Sequence, residues 1–250
     1  MYRTLLAAFL IATAGRTDAA ELKTLLTQNL AARGGAEAVG RVQGLELRLD
    51  LVEPKFALQA DYLVNRRRCM RIDVFSGDKY LQSEGVSSQG GWQVSAGESP
   101  VRPQPEGGTA TLLHGIDNPV RMIGLDEFPA RGHRLNYVGT ETLGDTSYDR
   151  IDATYADGYS ATIYLDRSSH LIVRIRETKP MHLAIDPTKL FIETQFSDYR
   201  PVEGVMFPFM SREVNWKTGA ELGHTTVRAV IVNAPAALAA CDPMPVPRTG

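Results

Sequence analysis

Histidine, cysteine, serine and aspartate are the side chains that could do chemistry in this chain, and their spacing organises little of it. The five histidines are His114, His133, His170, His182 and His224. An imidazole binds metal or moves protons when a second ligand or an orienting carboxylate stands close by. No two of these histidines, and no His with a Cys, share a metal-ligand spacing. His170 closes the polar turn Arg167-Ser168-Ser169-His170, and His182 falls in a loop running through Pro180 and Pro187, so solvated surface positions explain both. His224 shares a strand face with Thr226 and Arg228 and has no visible partner. A nucleophile elbow of the form G-x-S-x-G is absent. The pairs Gly34-Gly35, Gly90-Gly91 and Gly107-Gly108 lack the strand and helix context of a phosphate loop. Asn118 precedes Pro119 and so opens no glycosylation acceptor. Arg66-Arg67-Arg68 is expected as a solvated hairpin end. Cys69 lies in a predicted strand and Cys241 in a Pro-rich tail; in an oxidising compartment they could pair, and equally Cys69 could be buried and free.

The elements that would carry these residues are clearer than the residues themselves. Between Tyr159 and Val232 the chain alternates: Tyr159, Ala161, Ile163 and Leu165 against Ser160, Thr162, Tyr164 and Asp166, then Leu171, Val173 and Ile175 against Ile172, Arg174 and Arg176. A period of two puts successive side chains on opposite faces, which predicts an antiparallel meander. Leu45, Leu47, Leu49 and Leu51 alternate with Glu46, Arg48 and Asp50, followed by Phe56, Leu58, Ala60, Tyr62 and Val64, then Met70, Ile72 and Val74. Leu22, Leu25, Leu26 and Leu30 recur at helical spacing before Gly34-Gly35. Thr109 is expected to cap a second helix with Leu112, Leu113 and Ile116 on its apolar face, bent or split by Pro119.

Composition bounds the function. With 43% hydrophobic and 22% charged residues over 250 positions, the chain can bury a large core, and a net charge of -2 gives no pull toward nucleic acid. Arg3, the apolar run Leu5 to Ala14 and the small residues at Ala19-Ala20 have the three parts of a secretory signal peptide. The expected organisation is a signal peptide at 1–19, a single half-barrel domain at 20–233 and a Pro-rich tail at 234–250, draped or disordered.

Four segments resemble the periplasmic lipoprotein-carrier superfamily of LolA-, LolB- and RseB-like proteins and related outer-membrane lipoprotein-sorting proteins. They are Ala32-Arg33-Gly34-Gly35-Ala36-Glu37-Ala38-Val39, Gly90-Gly91-Trp92, Tyr164-Leu165-Asp166 with Leu171-Ile172-Val173-Arg174, and Asp198 through Pro208. With the alternation, the resemblance implies a mainly β fold: an unclosed antiparallel β-barrel of about 10–11 strands with an N-terminal helix and a mid-chain helical lid. It implies a non-enzymatic, periplasmic carrier or binder of lipidated proteins, lipids or other hydrophobic ligands. Such a carrier needs no cofactor or metal, acts as a monomer, and meets the acyl chains of its cargo and transport proteins of the inner or outer membrane. The expected cavity residues are Leu45, Leu47, Leu49, Phe56, Leu58, Tyr62 and Trp92, with Leu112, Leu113 and Ile116 on the lid. Two other readings stand beside this one: an envelope-stress sensor or protein-interaction scaffold on the same fold, and an exported hydrolase using the cavity as its active site.

Overall fold

The computed structural model of the chain describes residues 11–98, 101–183 and 186–241. Residues 1–10 of the expected signal peptide and 242–250 of the expected tail lie outside the described residues. The elements in order are helix α1 (Ile11–Ala32), helix α2 (Gly35–Arg41), strands β1 (Gly44–Glu53), β2 (Phe56–Asn65), β3 (Cys69–Ser76), β4 (Lys79–Ser87), β5 (Gly90–Ser95) and β6 (Arg102–Pro103), and helix α3 (Gly108–Ile116). Two short 3-10 turns, Leu125–Glu127 and Pro129–Arg131, lead into β7 (Arg134–Leu143), β8 (Thr146–Thr154), β9 (Ser160–Asp166), β10 (Ile172–His182), β11 (Asp186–Val202), β12 (Val205–Asn215), β13 (Glu221–Val232) and helix α4 (Pro235–Leu238).

All thirteen strands form one antiparallel sheet in the order β6-β5-β4-β3-β2-β1-β13-β12-β11-β10-β9-β8-β7. Each meander pairs sequential neighbours, and the two meanders are joined by β1 against β13. Among the described residues β6 and β7 each pair on one side only and form the two edges, so the sheet does not close. The strand count exceeds the expected 10–11 because the alternation was interrupted around β6, only two residues long, and around the prolines of β10 and β11. No long loop separates those two strands: Pro180 pairs with Lys189, and the register shifts between Pro180 and His182, where a residue without an N–H interrupts the ladder.

The register settles which side chains share the inner face. Leu45 faces Val64, Leu47 faces Tyr62 and Leu49 faces Ala60, and across the seam Leu49 faces Val227. The same side continues through Thr194 opposite Ile175 and Ile163 opposite Ile151. On the outer face, charges pair across strands: Arg176 Nε donates to Glu193 at 2.7 Å and Arg174 to the same carboxylate at 2.6 Å.

The concave face is filled at one end by the chain itself. Ile116, Val120, Met122, Ile123, Leu125 and Phe128 pack with Leu45, Met70, Val86, Ile163 and Phe207 in the main core. Arg33 holds this insertion in place. Its guanidinium, 2% exposed, donates to the carbonyls of Pro119 at 2.8 Å, Ile123 at 2.5 Å and Arg121 at 2.5 Å. Burial pushes the Arg33 pKa down, yet a guanidinium stays charged through the physiological range. Two segments named above for their resemblance meet here. Met206 N–H donates to the Arg33 carbonyl at 3.0 Å, and a Cβ on Gly34 would lie 1.9 Å from the Gly204 carbonyl oxygen. With φ at 119°, position 34 accepts only glycine on both counts.

A second buried tie uses Asp117, 1% exposed. It accepts from Arg131 at 2.8 Å and Arg68 at 3.0 Å. The Ala156 N–H donates to His133 Nδ1, so a neutral His133 carries its proton on Nε2 and donates it to Asp117 at 3.1 Å. Arg66-Arg67-Arg68 does form the β2–β3 hairpin end, with Arg67 exposed, but its side chains are tied down. Arg66 pairs with Glu127 at 2.5 Å and donates to the Val42 and Val39 carbonyls, Arg67 caps Leu238 and Arg68 reaches Asp117. Each guanidinium reaches a group distant in sequence, which local composition cannot reveal.

Helix α3 packs against β3, β4 and β5. Its N-cap is Gly107, at φ 78°, and not Thr109, whose hydroxyl instead accepts the Gly91 N–H at 3.1 Å. Cys69 and Cys241 are joined in a disulfide, and neither is free. Ala234, Ala237 and Ala240, at the start of the expected tail, pack on Leu63, and Asn65 donates to the Ala237 carbonyl at 3.0 Å.

Two measurements test these ties. Replacing both cysteines by serine is expected to cost about 2–5 kcal/mol of unfolding free energy, because a crosslink over a long loop restricts the unfolded chain; an unchanged denaturation midpoint would show that the α4 packing suffices without it. Arg33→Leu strands three buried carbonyls at about 1–3 kcal/mol each, so urea unfolding should show a loss of at least about 3 kcal/mol. A loss below about 1 kcal/mol would mean that water replaces the guanidinium.

Candidate functional site

The part of the inner face that the insertion does not fill encloses a cavity of about 370 Å³ between β1 to β3 and β10 to β13. Leu47, Leu49, Ile175, Ile192, Phe207 and Val227 form its apolar wall. They converge because alternation in each strand sends every second side chain inward and the register aligns those rows across the sheet.

The expected residues distribute as follows. Leu47, Leu49 and Tyr62 line the cavity. Leu45, on the same face, is fully buried in the packed core. Leu58 and Phe56 continue the row toward the open end, where Phe56 meets the His182 ring at 5.7 Å. Trp92 sits on the opposite face: it pairs with Gly85, which pairs with Arg71, which pairs with Leu63. A Cβ on Gly85 would come within 2.6 Å of the Trp92 ring, so the indole occupies space that only glycine leaves. On α3, Leu112 and Ile116 are buried in the core and Leu113 packs against it, and none of the three lines the cavity. The cavity is covered instead by Asn118, Val120 and Arg121, the residues just past the helix.

Several lining groups are polar, and these the sequence reading passed over. His182, expected as a solvated loop residue, ends β10 and bonds Glu53 at 2.7 Å. Glu177 accepts from Lys179 at 2.6 Å and from the Tyr159 hydroxyl at 2.9 Å. Burial alone would raise Glu177; the Lys179 ammonium and these hydrogen bonds outweigh it and hold the carboxyl below its ordinary value. Burial, then the Glu177 carboxylate, pushes the Tyr159 phenol well above its ordinary value. Glu213 lies beside Glu53, with Gly223 between them: a Cβ there would meet Glu53 Cγ at 2.9 Å and Glu213 Oε2 at 3.7 Å. Burial raises the Glu213 pKa, and the Lys179 charge only partly offsets that. Arg121 stacks over the Tyr62 ring, 4.0 Å from its centroid, while the Tyr62 hydroxyl donates to the Gly115 carbonyl at 2.9 Å. Extending the period of two from Ile175 to Glu177 and Lys179 would have placed both charges inward.

A second compartment of about 450 Å³ lies beneath α3. It shares Asn118, Arg121, Ile175, Glu177 and Lys179 with the first. Its far wall is aromatic: His114 stacks on Tyr159 at 4.1 Å between centroids and bonds Asp157 at 2.7 Å. Among the described residues, no three His, Cys, Asp or Glu side chains are grouped to hold a metal ion, and no helix is long and apolar enough to cross a membrane.

No family profile matches the chain, and no curated protein matches its sequence. Solved structures do resemble it. A LolA superfamily protein from Nitrosomonas europaea superposes with a TM-score of 0.56 at 10% identity, covering 85% of this chain and 93% of that one. A DUF1329 family protein from Desulfovibrio piger gives 0.57 at 12% identity, covering 88% and 96%. A domain assigned to outer membrane lipoprotein sorting from Vibrio parahaemolyticus gives 0.53 at 10% identity, covering 85% and 92%. Identities this low speak to the fold alone, and on that evidence the chain has the half-barrel fold of LolA superfamily proteins.

Proposed function

We propose that the chain is a periplasmic, non-enzymatic carrier or binder that shields the acyl chain of a lipid or lipidated protein from water, as in outer-membrane lipoprotein sorting. The observation that carries this reading is the cavity between Leu47, Leu49, Ile175, Ile192, Phe207 and Val227, within the size range of small-molecule sites. Each methylene transferred there contributes about 0.8 kcal/mol, so a tail of about ten carbons reaches the micromolar range. The half-barrel fold and its similarity to lipoprotein-sorting structures support the reading. The Cys69–Cys241 disulfide supports an oxidising compartment, in keeping with the signal-peptide pattern of residues 1–19.

The cavity is the part to alter. Thr194 lies on its wall, half-buried, on a strand paired on both sides. Thr194→Trp should fill the space and weaken binding of a fluorescent fatty acid at least about tenfold, with the far-ultraviolet circular dichroism unchanged. Uptake equal to the parent protein, or no uptake by either, would refute acyl binding at this site.

A further inference from the structure

The charges facing the cavity do not all cancel. Glu53 hydrogen-bonds His182, and Glu177 pairs with the Lys179 ammonium. Two groups remain. Arg121 forms no ion pair with any carboxylate among the described residues; it is held by its stack on Tyr62 and by the Arg33 bond to its own carbonyl. The Glu213 carboxylate accepts no side-chain hydrogen bond and joins no ion pair among the described residues, its backbone alone being tied into β12. The two do not pair with each other, although both line the same cavity and feel each other's charge. A partly exposed cation and a partly exposed anion on the wall of an apolar space each offer a charge-assisted bond to a ligand that brings the complementary charge.

Position adds to this. Arg121 stands on the wall common to both compartments and Glu213 lines the first, so a head group reaching both sits at the charged part of the cavity and leaves the aliphatic wall of Leu47, Leu49 and Val227 to the tail. His224, a further ionisable group on the lining, is near Glu221 at 3.7 Å, and its side chain is 41% exposed. We infer that the ligand is an amphiphile with a zwitterionic head, its phosphate received by Arg121 and its ammonium by Glu213. This inference rests on the acyl-binding reading of the same cavity and narrows it to a class. Guanidinium–phosphate and carboxylate–ammonium bonds are charge-assisted and worth more than neutral ones, whereas an uncharged head would leave both side chains unmatched.

Three single-chain probes of one acyl length, used below their micelle concentrations, test it by calorimetry: a monoacylglycerol, a lysophosphatidylglycerol and a lysophosphatidylethanolamine. The zwitterionic probe should bind at least about tenfold more tightly than the neutral one. Arg121→Gln should erase the advantage of both phosphate-bearing probes, and Glu213→Gln only the advantage of ethanolamine over glycerol. Far-ultraviolet circular dichroism equal to the parent's should report that both variants fold. Equal affinity for all three probes, or the parent ranking retained in both variants, would overturn the head-group assignment and leave acyl binding standing. Failure of every probe, monoacylglycerol included, would remove the acyl-binding reading and this inference with it.

Discussion

The structure depends on one buried cation. Arg33 sits at the corner between α1 and α2 and gathers the carbonyls of Pro119, Arg121 and Ile123, groups that a proline-interrupted segment cannot satisfy within itself. Without that capture the insertion after α3 would have to carry its backbone polarity into the core unpaired. With it, Met122, Ile123 and Leu125 can pack against the sheet, and Arg121 is delivered to the cavity wall. Gly34 and Gly204 make the corner possible, since any side chain at Gly34 would displace the β11–β12 turn.

This arrangement explains why the half-barrel is neither solid nor empty. A curled sheet of this width cannot be filled by its own strand side chains. The insertion fills one end, and the remaining end is bounded by strands whose inward positions change from aliphatic to charged toward the opening. Glu177 pairs with Lys179 and Glu53 hydrogen-bonds His182 at that boundary, which lets polar groups approach a greasy space with partners in place.

Much of the sheet was legible because its evidence is local. The leucines of β1 and the apolar residues of β2 announce a common face through their period, and the register confirms that they share it. Trp92 was misplaced because a lone indole after two glycines has no alternating neighbours to fix its side. The α3 leucines were legible as an apolar stripe, but whether such a stripe meets a packed core or a hollow is decided by what lies opposite. The arginine triplet, the Cys69–Cys241 bond and the Asp117 tie were opaque for another reason: their partners lie far along the chain, and no spacing rule joins them.

The seam between β1 and β13 carries a consequence for biogenesis. A strand near the start of the fold is completed by one near its end, so the first meander must wait, with a row of unsatisfied amides along β1, until nearly all of the chain has arrived. Any route that delivers this polypeptide across a membrane from its amino end must keep that border from annealing to the wrong neighbour. The order of the strands thus leaves the β1 border open to other pairings until β13 arrives.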